Sequence, residues 1–98
     1  MSVKLLFVIY SEDIDRQVMV LLKQAGISSY TNWERVLGTG SAGAKLGNEA
    51  GPGTNKMMMA LVDSARLKSL LERLSNLKKS FLSRQGLKII VLTVDEVV

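Results

Sequence analysis

"VKLLFVIYSEDIDRQVMVLLKQAG", Val3 to Gly26, decides how the rest of the chain reads. Its first eight residues, Val3 to Tyr10, are an apolar run rich in β-formers and bounded by polar residues, which marks a strand. From Ser11 the period changes. Ile14, Val18, Leu21, Leu22 and Ala25 fall at helical spacing. The acidic residues Glu12, Asp13 and Asp15 suit the positive end of a helix, Ser11 or Asp13 can cap it, and Gly26 can end it. The same change of period occurs once more. "KMMMALVD", Lys56 to Asp63, reads as a strand, and "SARLKSLLERLSNLKKSFLSRQG" carries Leu67, Leu70, Leu71, Leu74, Leu77 and Phe81 on one helical stripe closed by Gly86. Tyr10-Ser11 and Asp63-Ser64 each mark a strand end before a helix start, a weak internal repeat.

Each strand–helix unit is followed by a further strand: "SSYTNWERVLG", with Tyr30, Thr31, Trp33, Val36 and Leu37 in imperfect alternation, and "LKIIVLTVDEVV". Ninety-eight residues suffice for a single core, so residues 1–98 form one domain. The element order predicts an α+β fold, the ferredoxin-like βαββαβ sandwich. In it a four-stranded antiparallel sheet carries two helices on one face. A sheet covered on one side alternates apolar and polar residues. Here the first strand has Val3, Leu5, Phe7 and Ile9 on one side and Leu6, Val8 and Tyr10 on the other. Met57 to Val62 and Ile89 to Leu92 are likewise apolar on both sides. Two helices shield one face, so the other is expected to be buried in a homo-oligomer of closed symmetry; cover by loops is the alternative.

Composition removes several classes of chemistry. The chain has no histidine and no cysteine, hence no imidazole base, no thiolate nucleophile and no disulfide framework. With no carboxylate cluster at ligand spacing either, the reading is of a protein that is not an enzyme. A hard cation held by Glu34, Glu49 or Asp95 with loop carbonyls stays open. The methionine triplet is core strand, since its middle side chain faces away from its neighbours. An RNA-binding module of this topology stacks bases on aromatics of its central strands, and the third strand offers only methionines. No stretch has the length or apolarity of a membrane span or a cleavable leader, and the absence of cysteine fits a cytoplasmic location.

"VLGTGSAGAKLGNEAGPGTNK", Val36 to Lys56, holds six of the eight glycines and the only proline. "GTGSAG" matches G-x-G-x-x-G, but Gly47, Gly51, Pro52 and Gly53 forbid the helix whose N-terminus would receive a pyrophosphate. Ala44 stands where a phosphate-loop lysine must be. The segment therefore reads as a flexible loop over residues 38–54, either functional or slack, whose glycines let backbone N–H groups approach an anion.

The whole pattern resembles the PII-like signal-transduction proteins: a helix ending "AGI", "ERVLGTG", a long loop, "NKMMMALVD", a second helix and "LKIIVLTVDEV". The resemblance implies a homotrimer that binds an adenine nucleotide (ATP, ADP or AMP) between subunits. It also implies that the long loop signals to a regulated enzyme or transporter. It places Gly38, Thr39 and Gly40 at the loop base by the nucleotide and Gly86 and Lys88 in the remnant of a phosphate-binding loop, here reduced to "SRQGLK"; Lys45 is the loop's own lysine expected at the anion. Ser41, Gly43, Leu46, Gly47, Asn48 and Glu49 then form the partner-binding loop. A shortened member of the family with its own anionic ligand is expected. The second reading is a trimer of this fold that binds a metal cation or another small molecule without nucleotide sensing. Between Ser64 and Lys88, seven basic residues stand against Glu72 alone; this is a solvated helix face or an anion or partner surface, with Arg84 and Lys88 nearest the cleft.

Overall fold

The computed structural model describes residues 2–40, 43–45, 54–80 and 86–98. Strand β1 spans Val3–Ser11, α1 Asp15–Gln24, β2 Thr31–Val36, β3 Gly38–Gly40, β4 Gly43–Lys45, β5 Asn55–Asp63, α2 Ser64–Ser80 and β6 Leu87–Thr93. The main sheet has the order β2-β5-β1-β6, and every neighbouring pair is antiparallel. This is the expected ferredoxin-like arrangement, with β1 flanked by β5 and β6.

Local chemistry sets the boundaries. A 3-10 turn, Glu12–Ile14, precedes α1, and Ser11 is the residue that caps it, its side chain accepting from the Asp13 N–H at 3.4 Å. Gly26 stops α1 at φ 79. Its N–H bonds the Lys23 carbonyl and the Ile27 N–H bonds the Leu22 carbonyl, both at 3.0 Å, a Schellman closure that needs the left-handed region glycine enters freely. At α2 the carboxylate of Asp63 accepts from the Arg66 N–H at 2.9 Å, an N-cap. Phe81 to Gln85, read from the sequence as the last part of the second helix, lie outside the described residues. Residues 94–98, read as part of the last strand, follow β6 without pairing.

The core lies between one sheet face and the helices. Leu6, Val8 and Tyr10 of β1, Met58, Ala60 and Val62 of β5 and Leu87 of β6 pack with Ile14, Val18, Leu22, Leu67, Leu70 and Leu74. The other face carries Leu5, Phe7 and Ile9, which sit across from Leu61, Met59 and Met57 on β5. Leu5 and Phe7 also face Leu92 and Ile90 on β6, and Trp33 of β2 faces Met57. Neither helix covers this side, and Leu61 and Leu92 remain 48% and 47% exposed.

One difference from the sequence reading concerns the glycine-rich segment. Its composition reads as a flexible loop with no strand marked in it, yet part of it pairs: Gly38 with Lys45, Thr39 with Ala44 and Gly40 with Gly43. Glycine weakens a strand through entropy but does not remove its N–H and C=O groups, so a short ladder still forms.

Candidate functional site

Those of the site residues named from the sequence that the structure describes lie at or next to one end of the sheet, where β1 and β2 finish and β5 and β6 begin. Asn55 faces both Ser11 and Val36, and Tyr10 faces both Lys56 and Leu87. Backbone bonds tie this end together: the Ser11 N–H donates to the Gly86 carbonyl at 3.0 Å and the Glu12 N–H to the Thr54 carbonyl at 3.1 Å. Thr54, buried, also donates its hydroxyl to the Glu12 carboxylate. The root of the glycine-rich segment is therefore fastened to the turn that starts the first helix.

Within that end the named residues do not all meet. Gly38, Thr39, Gly40, Gly43 and Lys45 belong to a separate two-stranded ladder that follows β2, itself an outer strand of the main sheet. Gly86 and Lys88 lie at the start of β6, on the opposite edge. Three strand spacings separate the edges, about 14 Å. Lys88 pairs with Ile9 and is exposed on the helix-free side, while a Cβ built on Gly86 meets nothing within 4 Å among the described residues. Ser41, Leu46, Gly47, Asn48 and Glu49, together with Arg84, lie outside the described residues.

Two of the carboxylates named for a cation, Glu34 and Asp95, are not brought together within the chain. Glu34 sits beside the β5 start, and its carboxylate lies 3.6 Å from the Lys56 ammonium. Asp95 follows Thr93, which pairs with Lys4 at the far end of the sheet. The two carboxylates are thus held at opposite ends, and among the described residues no group of acids suits a metal ion. Glu49 lies outside the described residues.

A polar network at this end went unread in the sequence. The Tyr10 hydroxyl donates to Asp15 Oδ1 at 2.6 Å, and the Lys56 Nζ lies 3.0 Å from the same oxygen. Burial pushes the Tyr10 phenol well above its ordinary value, and the bond to Asp15 adds to that. Burial alone would lower Lys56, whose side chain is 13% exposed, but Asp15, with Glu34, outweighs it and holds the ammonium above its ordinary value. A signal was present: Lys56 has the parity of Met58 and Ala60, so it points to the helix side and requires a carboxylate there. The partner Glu34 reaches it because β2 bulges. Trp33 faces Met57 and Val36 faces Asn55, leaving Glu34 and Arg35 opposite Lys56 alone, with Arg35 at φ 57.

The family model described as nitrogen regulatory protein P-II matches residues 3–98. Among solved structures, the chain is similar to CPII, a nitrogen regulatory PII-like protein from Thiomonas intermedia K12 bound to ADP, AMP and bicarbonate. The TM-score is 0.76 at 21% identity, over 96% of this chain and 93% of that one. It is also similar to a putative PII-like signaling protein from Thermus thermophilus, with a TM-score of 0.62 at 16% identity, over 96% and 91% of the two chains. A third, a functionally unknown protein from Pediococcus pentosaceus, gives 0.64 at 18% identity over 100% and 97%. No curated protein matches the chain. The solved structures establish the ferredoxin-like fold, and the family model, matching almost every residue, establishes descent: the chain belongs to the nitrogen regulatory protein P-II family.

Proposed function

We propose that this protein is a cytoplasmic PII-like signal-transduction protein that self-associates through the helix-free sheet face, most simply as a trimer. It binds a small anionic ligand, an adenine nucleotide, where subunits meet. One observation carries the reading: the loop base and the Gly86–Lys88 pair lie at the same end of the sheet but on opposite edges. Within one chain they are too far apart to grip one phosphate group. Side by side in a ring, the β2 edge of one copy meets the β6 edge of the next. The loop base, Gly38 to Gly40 with Lys45, then approaches an anion from one side and Lys88 from the other. The similar protein CPII is bound to ADP, AMP and bicarbonate, so nucleotide and bicarbonate are the probes to try first. Ligand binding favours one arrangement of residues 38–54, and a partner enzyme or transporter reads that arrangement.

The test is a thermal melt with ATP, ADP, AMP or bicarbonate at millimolar concentration, alongside sedimentation at low micromolar protein. The expected result is an oligomer whose melting temperature rises with at least one nucleotide, the rise disappearing in Lys88→Ala. An oligomer that no nucleotide stabilises removes the ligand while leaving the assembly. A single subunit in sedimentation removes both.

A further inference from the structure

The helix layer, on the side away from the proposed assembly face, has a groove of about 650 Å³ between α1 and α2. Its floor is apolar, from Val20, Leu21 and Leu77, and Val20 is 46% exposed. Its charged lining is Arg16 and Arg73, with no carboxylate among the lining residues. Arg73 donates to Gln24 at 2.9 Å, a neutral partner that leaves the full charge uncompensated. Among the described residues neither arginine has an ion-pair partner. The same imbalance extends over both helices. Arg16, Lys23, Arg66, Lys68, Arg73, Lys78 and Lys79 stand against Glu72 and Asp15, and Asp15 is turned to Lys56.

The placement of the two arginines is specific. The antiparallel pairing of β1 with β5 sets the helices antiparallel, and the Arg73–Gln24 bond fixes Arg73 beside the C-terminal end of α1. Arg16 lies at the other end of α1, eight residues away, about 12 Å along the axis. The groove thus offers a cation at each end and hydrocarbon between. On a helix laid in it, carboxylates seven residues apart are separated by about 10–11 Å, and residues three and four places after the first point the same way. Among the described residues no aromatic side chain lines the groove to stack a nucleobase, and the apolar groups line a groove rather than protrude as a wedge for lipid.

We propose that the α1–α2 groove docks an amphipathic helical segment of a partner protein, with acidic residues at i and i+7 and apolar residues at i+3 and i+4. This surface lies on the helix side of the sheet, opposite the face proposed to be covered in the assembly, and does not rest on the nucleotide reading.

The experiment is fluorescence anisotropy of a labelled 15-residue peptide with Glu at i and i+7 and Leu at i+3 and i+4, titrated with the full chain. Saturable binding is expected, weakened about tenfold or more by Arg16→Glu, by Arg73→Glu and by exchanging the peptide's glutamates for lysine. Val20→Asp, which leaves both arginines in place, is expected to weaken it as much. Lys68→Glu, an equal charge change on α2 outside the groove, is expected to have little effect. The proposal is overturned if the peptide does not bind, if Lys68→Glu weakens it as much as the arginine variants, or if a same-composition peptide with its leucines on the opposite face binds equally. Arginine-dependent binding of a single-stranded RNA or of anionic vesicles without peptide binding would assign the groove to those partners instead. Peptide binding that persists when nucleotide stabilisation fails keeps the groove and removes only the ligand reading.

Discussion

Tyr10 shows how one buried hydroxyl can tie three elements. It lies in the core at the end of β1, donates to Asp15 at the start of α1, and through that carboxylate meets Lys56 at the start of β5. Tyr10→Phe keeps the ring and removes a bond to a charged acceptor, so it is expected to lower stability by about 1.5–3 kcal/mol in a urea melt. The network also ties stability to alkaline pH. Tyr10 and Lys56 both hold their protons more tightly when folded than at the ordinary values of 10.0 and 10.5. Above those values the unfolded chain binds fewer protons than the folded one, so stability falls as pH rises. The melting temperature is therefore expected to be insensitive to these groups below about pH 10 and to drop above it, less steeply in Tyr10→Phe. At this scale the sequence was only half legible. Tyr10 was readable as a strand residue and Asp15 as a first-turn acid, but the bond between them depends on how the helix folds back over the strand.

The elements were read more completely, and the misreadings have physical causes. The imperfect alternation of "SSYTNWERVLG" is the bulge itself. Trp33 and Val36 are three residues apart yet face Met57 and Asn55, two positions of equal parity, because Arg35 takes up the extra residue in the left-handed region. Arg35→Gly is expected to leave stability unchanged or slightly raised, and Arg35→Val to lower it by about 1–2 kcal/mol, measured by chemical denaturation. The leucine stripe of α2 was plain from its period, and Leu70 and Leu74 are fully buried. Replacing either with alanine is expected to cost about 2–5 kcal/mol. The β3–β4 ladder was missed because glycine carries no apolar pattern; a pairing made only by backbone leaves little trace in side chains.

At the scale of the whole molecule, the two-sided hydrophobicity of β1, β5 and β6 was legible, and the structure leaves one of those sides without helices. Which functional residues converge was not legible, since it depends on strand order: β2 and β6 became opposite edges, dividing the named site. Leu61→Glu places a charge on the open face at a residue that is half exposed in the isolated chain. It is expected to keep the circular dichroism of the fold while shifting sedimentation to a single subunit. Loss of the fold along with the assembly would mean that the subunit depends on its neighbours. The same face also holds the protein's only tryptophan, Trp33, 40% exposed beside Met57. Nature has thereby placed a single fluorophore next to the surface in question: its emission will move to the blue as water leaves that side, giving a label-free optical readout of assembly from dilution alone.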